Sequence, residues 1–210
     1  MTDVTLPGAA RFYGVDRESE LTLVCRVREG DRDAFDEVYA LFNDRLFGFL
    51  VRLARSRDVA EDLLEETWLR FVTHAERLDA DTRLGPWLFT VARNLHVSYC
   101  RSRALEESAE GDGISLWPTA MHESPFEQTA SSELEARLEA ALAGLPVAFR
   151  EVLLLVGVEG FRPSEAAAVC GVSPEALRQR LKRARDLLAR RLASTSAMTA
   201  SRVARFKVRA

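Results

Sequence analysis

The chain has 210 residues, 47% hydrophobic and 29% charged, with a formal net charge of −3, which is length enough for one or two packed domains. No apolar run approaches the roughly 18 residues needed to cross a bilayer, and the opening "MTDVTLPGAARFYGVDRESE" lacks the basic-then-apolar order of a secretory signal, so a cytoplasmic protein is expected. Cys25, Cys100 and Cys170 have neither metal-ligand spacing nor an even disulfide count, which leaves reduced, buried thiols as the expectation.

Periodicity favours helix almost throughout, with no alternating run that suggests a strand. Residues 1–18 read as a tail, and Glu18 to Arg28 as a first helix. Asp31 in "REGD" is placed to cap a second helix, whose apolar residues Phe35, Val38, Phe42, Leu46, Phe49 and Leu53 recur at three-and-four spacing. A third follows, with Val59, Leu63, Thr67 and Phe71 inside. Its stretch "RDVAEDLLEETWLR", residues 57–70, carries more apolar side chains (Leu63, Leu64, Trp68, Leu69) than one buried stripe requires. Beside them Glu61, Asp62, Glu65 and Glu66 make an acidic surface that would repel DNA and suit a basic protein partner.

The next stretch, "RLGPWLFTVARNLHVSYCRSR" at 83–103, starts on Gly85 and Pro86. It sets Trp87, Leu88, Val91, Ala92, Leu95 and Tyr99 against a polar side with Arg93, Asn94 and Arg101. Asparagine is a poor choice at an exposed mid-helix position because its side chain competes with the backbone, which gives Asn94 a claim to a specific partner such as a base edge. These helices make an all-helical domain over 19–103.

Residues 104–130 break the pattern. From Ala104 to Ala136 there are eight acidic residues and no Lys or Arg, and Gly111, Gly113, Pro118 and Pro125 interrupt any period. This reads as a flexible acidic linker, able to shield a basic helix, in which Trp117 and Phe126 either dock or stay exposed.

A second small helical domain spans 131–193. Leu134, Leu138, Leu142 and Leu145 give one helix, and Pro146 begins another with Phe149, Val152, Leu153 and Val156 inside. Then comes "RPSEAAAVCGVSPEALRQRLKRAR", residues 162–185. Pro163 opens a short helix, Gly171 supplies a left-handed turn, and Ser173 with Pro174 caps the next, the order of a helix-turn-helix. At about 100° per residue, Leu177, Leu181, Ala184 and Leu188 line its buried side, while Glu175, Arg178, Gln179, Lys182 and Arg183 are displayed. Such side chains read base edges in a major groove, and Arg180, Arg185, Arg190 and Arg191 suit phosphates. From Pro174 to Ala193 there are seven basic residues against two acidic, so the small net charge hides a bipolar molecule. The tail 194–210, with four positive charges, reads as a mobile basic extension.

His74, His96 and His122 have no metal-ligand spacing or nucleophile partner, and no glycine-rich phosphate loop or catalytic carboxylate pair emerges, so no catalysis, cofactor, metal or small-molecule substrate is expected.

The segments "DVAEDLLEETWLRF", "WLFTVARNLHVSYCRSR" and "LPVAFREVLLLVGVEGFRPSEAAAVCGVSPEALRQRLKRARDLLARRL", in that order and around an acidic linker, resemble the extracytoplasmic-function (ECF) sigma factors of bacterial RNA polymerase. The likeness covers residues 19–193. It implies a protein that binds core polymerase and directs it to promoters, with residues 57–70 docking on polymerase through Asp58, Glu61, Asp62, Leu63, Glu65, Glu66 and Trp68. It implies that the loop from Leu78 to Gly85 and the helix after it read and open the −10 element through Arg83, Arg93, Asn94, Val97, Arg101 and Arg103. The −35 element would fall to Ser173, Glu175, Arg178, Gln179, Lys182, Arg183 and Arg185, and the linker would thread near the polymerase active site and RNA exit path. An anti-sigma factor is compatible with the resemblance, although no residue identifies one. Glu65 stands where the family commonly has Gln, Ser98 where it often has an acidic residue, and Arg162 where a Ser or Thr cap is usual. The runner-up is a self-sufficient regulator that joins a helical sensor or dimerisation domain to a helix-turn-helix and binds a palindrome as a dimer.

Overall fold

The computed structural model describes residues 17–109 and 133–207, and every regular element among them is helical. In the first half, α1 (Arg17–Arg28), α2 (Arg32–Ala54), α3 (Arg57–His74) and α4 (Leu84–Ala109) pack as a bundle. The second half holds α5 (Glu133–Ala143), α6 (Val147–Leu153), α7 (Pro163–Cys170) and α8 (Pro174–Lys207). The architecture is the all-α, two-body arrangement expected. The tail before Arg17, most of the acidic linker, and Trp117, Phe126 and His122 lie outside the described residues.

The local chemistry explains the element ends. Asp31 Oδ1 accepts the amides of Asp33 and Ala34 at 2.9 and 3.3 Å, a cap that contributes about 1 kcal/mol. Arg26 donates to the same carboxylate at 2.7 Å and holds it below the usual carboxylate range. Arg55, at φ 59, ends α2 in the left-handed region, and Ser56 starts α3 at once, folding the two helices into a tight antiparallel pair. Glu20 of α1 accepts the Leu84 amide at 3.0 Å and so fixes where α4 begins.

Two boundaries differ from the expectation. Helix α4 runs past Arg103 to Ala109, into the stretch read as linker, because Ala104, Leu105, Glu106 and Glu107 are good helix formers ahead of the first glycine at Gly111. Helix α8 likewise continues through the supposed tail to Lys207, since neither Gly nor Pro occurs after Pro174 to stop it. Leu134, read with Leu138, Leu142 and Leu145 as one helix, lies in α5 but is 68% exposed.

One hydrophobic core runs through both halves. Phe49, Leu46, Leu50, Phe71 and Leu88 fill the first, and Leu154, Leu155, Val169, Leu177 and Ala184 the second. Phe89 joins them, edge-on to Phe49 at 5.2 Å and to Phe161 at 5.1 Å. Phe161 reaches α4 because α6 widens into a π-helical turn over Leu154–Val158, closed by Glu159 N–H to Leu154 O at 2.8 Å, and Gly160 then adopts φ 72 to reverse the chain. Burying that ring contributes about 2 kcal/mol. Beside Gly85, ring atoms of Phe42 and Phe161 lie 3.4 and 3.5 Å from where a β-carbon would sit, which is ordinary van der Waals contact, so both rings pack against the start of α4.

Candidate nucleic-acid and protein interfaces

Three surfaces carry the candidate residues. On α3, Asp58, Glu61, Asp62 and Glu65 are exposed and Glu66 is half-buried, at spacings that place them along one side of the helix. Arg57 pairs with Glu61 at 2.8 Å and Arg70 with Glu66 at 2.9 Å, contacts at helical spacing that steady the side chains without neutralising the face. Leu63 and Trp68 do not belong to that exposed face. Leu63 is buried, and Trp68 is walled in by Phe35, Tyr39 and Phe71 with its indole N–H donated to Asn43 at 3.2 Å. The apolar part of the exposed surface is instead Leu69 and Val72, 59% and 54% exposed, with Tyr39 of α2 beside Trp68. Val72 and Tyr39 escaped the sequence reading because a single exposed apolar residue looks the same on any helix.

On α4, Asn94 and Arg101 are exposed as expected, Val97 and Arg103 are half-buried, and Arg103 donates to the Tyr99 hydroxyl at 3.2 Å. Arg93 is not free. Its Nε donates to Glu151 Oε1 of α6 at 2.7 Å, with the two side chains 21% and 6% exposed, and its Nη1 reaches Asn94 Oδ1 at 3.3 Å. Arg83 lies 2.8 Å from Glu20 and 3.4 Å from Glu165 of α7. The polar side of α4, read as an open face, is therefore partly covered by the second half. Periodicity along one helix cannot reveal a partner 58 residues further on.

His96, also on α4, is buried, with Cys100 Sγ 3.5 Å from its Nε2. Burial, then the nearby Arg150 and Arg93, push its pKa down to about 4, so the ring is neutral at pH 7. Cys170 is pushed up to about 12 by burial and by Glu151 and stays a thiol. Among the described residues no group of three or more His, Cys, Asp or Glu is placed to hold a metal ion, and no helix is long and apolar enough to cross a membrane.

The third surface is built by α7 and α8. Gly171, at φ 64, makes the left-handed turn, and the Ser173 hydroxyl accepts the Ala176 amide at 3.2 Å to cap α8. Arg162, which has no acceptor in its side chain, is compensated from the other direction, since Glu165 accepts its amide at 2.9 Å. Leu177, Leu181 and Ala184 are buried and Leu188 is half-buried. Ser173, Glu175, Arg178, Gln179, Lys182, Arg183 and Arg185 are all exposed, so the helix-turn-helix presents the face read from the sequence. Glu175 organises that face, accepting from Arg178 Nη2 at 2.7 Å and Gln179 Nε2 at 3.3 Å, and the bond from Arg178 keeps its carboxyl below the usual range.

An acid-faced helix, a polar helix beside it and a basic helix-turn-helix define a class of DNA-directed factor that also meets a protein partner. Residues 38–106 match the model for sigma-70 region 2, and residues 135–188 that for sigma-70 region 4. The chain is 38% identical over 144 residues to ECF RNA polymerase sigma factor EcfG of Rhodopseudomonas palustris, covering 68% of this chain and 76% of that one. With RNA polymerase sigma factor CarQ of Myxococcus xanthus the identity is 35% over 164 residues, 78% and 91% of the two chains. Among solved structures, the sigma factor RpoE of Bartonella quintana, in complex with the anti-sigma factor NepR, superposes with a TM-score of 0.63 at 31% identity, covering 76% of this chain and 96% of that one. The chain belongs to the ECF sigma factors of the sigma-70 family, which direct RNA polymerase to promoters.

Proposed function

We propose that the three surfaces divide the work of a sigma factor. The exposed acidic side of α3, Asp58, Glu61, Asp62, Glu65 and Glu66 with Leu69 and Val72, docks on a basic surface of core polymerase, and Leu63 and Trp68 hold it in shape from beneath. Arg83, Arg93, Asn94, Val97, Arg101 and Arg103 engage the −10 element, where unpaired bases must be held at a cost of a few kcal/mol each. Helix α8 enters the major groove of the −35 element, with Arg178, Gln179, Lys182 and Arg183 towards base edges, Glu175 orienting two of them, and Ser173 and Arg185 on the backbone. Residues 19–103 and 131–193 act as the two functional domains, joined by the 104–130 segment. The factor works in the cytoplasm, has no catalytic activity of its own, and is a target for an anti-sigma factor of the kind bound to the Bartonella relative.

The observation that carries this reading is the segregation of exposed charge, acidic on α3 and basic on α8. Charge reversal tests it. Glu61→Lys with Asp62→Lys weakens association with core polymerase and leaves the helical content unchanged, whereas Lys182→Glu with Arg183→Glu spares that association and removes dependence on the upstream promoter element. Equal behaviour of the two double variants in polymerase pull-down and promoter transcription refutes the division.

A further inference from the structure

We infer that Arg17 and Glu20 of α1 are positioning residues, which clamp the loop from Asp79 to Arg83 into the shape in which it meets an unpaired −10 base. The inference rests on the assignment of that loop, with Arg83, to the −10 element.

The loop is anchored at its ends and exposed between them. Leu78 and Leu84 are buried, Asp79, Ala80 and Asp81 face solvent, and the Thr82 amide closes a turn onto Asp79 O at 3.0 Å. A surface loop of this kind samples many backbone conformations, and ordering it at the moment of binding costs free energy. Here the order is supplied in advance by α1. Arg17 donates from Nη2 to Asp81 O at 2.6 Å and from Nη1 to Thr82 O at 3.4 Å, and Nη1 also binds Glu20 Oε2 at 2.9 Å. Glu20 in turn accepts the Leu84 amide on Oε1 at 3.0 Å and stands 2.8 Å from Arg83 Nε through Oε2. The arginine takes carbonyls and the glutamate takes an amide, so the main chain is gripped by both of its polarities from Asp81 to Leu84.

The start of α4 explains why a carboxylate is needed from elsewhere. Helix α4 begins at Leu84, directly after Arg83, whose side chain has no acceptor with which to cap it. Glu20 provides that acceptor from 64 residues away in sequence, and its negative charge suits the positive end of the helix. Its side chain is 13% exposed, a setting in which charge-assisted hydrogen bonds are strong. The base of the clamp is firm as well, because Leu23, Val24 and Val27 seat α1 in the core. Gripping Asp81 and Thr82 by their carbonyls fixes the backbone and leaves the outer residues of the loop open to a ligand. A loop that holds its binding shape for only a fraction of the time binds with its affinity reduced by that fraction, so the clamp sets how sharply the −10 element is read.

The test uses the full chain in two assays. Hydrogen exchange followed by mass spectrometry on the free protein reads whether the loop is held. Transcript-start mapping with bacterial core polymerase on genomic DNA reads the base preferences of the −10 and −35 elements side by side. Glu20→Ala is expected to speed exchange over residues 78–84 by about tenfold and to flatten the −10 preference, with helical circular dichroism, association with core polymerase and the −35 preference unchanged. Arg17→Ala acts in the same direction by about threefold, and Arg17→Lys, which keeps a cation able to reach a carbonyl, retains most of the protection. Glu20→Gln keeps an acceptor for the Leu84 amide and loses the charge beside Arg17 and Arg83, so residues 81–83 loosen more than Leu84. Asp31→Ala removes the cap of α2 in the same bundle; it controls for lost stability and leaves both base preferences intact. Unchanged exchange in Glu20→Ala and Arg17→Ala overturns the clamp. Faster exchange with an undiminished −10 preference overturns the positioning role, as does an equal loss of the −10 and −35 preferences. Arg83→Ala separates this inference from the reading beneath it. If Arg83→Ala flattens the −10 preference while a loosened loop does not, the clamp alone falls; if it leaves that preference intact, the assignment of the loop to the −10 element falls with it.

Discussion

Arg150 offers the sharpest test of what holds the fold. Its guanidinium donates to Leu142 O at 3.1 Å, Ala143 O at 2.9 Å and Leu145 O at 2.9 Å around the end of α5, and to Arg52 O at 3.0 Å and Leu53 O at 3.2 Å at the end of α2. Helix C-termini leave carbonyls without intrahelical partners and carry partial negative charge, so one planar cation serves two helix ends at once. Burial, with Arg55 nearby, lowers its pKa to about 10, which still leaves it charged at neutral pH. Replacing Arg150 by Met keeps most of the apolar stem and removes every donor. Each carbonyl left dry costs about 1–3 kcal/mol, against which stand water entry and relief of a desolvated charge. The net loss expected is about 3–5 kcal/mol, a large part of a typical domain's 5–15 kcal/mol. Arg150→Lys, which retains charge without the fork, loses less. Urea denaturation followed by circular dichroism and by Trp68 and Trp87 fluorescence measures both. A loss below about 1 kcal/mol for R150M would refute the reasoning, because water would then be satisfying those carbonyls equally well.

His96 has a folded pKa near 4 against an ordinary 6.5, so between those values the unfolded chain binds more protons. The stability from its neutral ring is complete above pH 6.5 and drains away as pH falls towards 4, up to about 3 kcal/mol. The urea midpoint of His96→Leu should accordingly fall less between pH 7.5 and 4.5 than that of the wild type, and equal falls contradict the assignment. Gly171, at φ 64 with open space where a β-carbon would stand, resists substitution through its backbone alone. Gly171→Ala should lose about 1–2 kcal/mol and Gly171→Asn less, read as melting temperatures; a larger loss for Asn would point to a clash instead.

Local chemistry was legible where one segment contains both partners. Asp31 with the amides of Asp33 and Ala34, Gly171 in its turn, and the buried side of α8 from Leu177 to Ala184 are all matters of neighbours in sequence. The acidic stripe on α3 was readable for the same reason, although its surplus of apolar residues was not: nothing in the spacing says that Trp68 turns inward to Asn43 while Leu69 and Val72 stay outside. The pairing of Arg93 with Glu151 depends on how two helical bodies dock, and docking is fixed by the π-helical turn that delivers Glu159 and Phe161. Such a turn leaves no period in the sequence. The lengths of α4 and α8 were underestimated because acidic or basic composition was taken for disorder where helix propensity continued unbroken.

The central claim is that the chain confers two-part promoter recognition on core polymerase. It is tested most directly by adding the purified chain to bacterial core polymerase on genomic DNA and mapping transcript starts with and without Lys182→Glu and Arg183→Glu. The account predicts a defined set of starts preceded by two separated elements, with the upstream one losing its influence in the variant. Sequence-specific binding to a palindrome by the chain alone, with no starts gained by the polymerase, would contradict it.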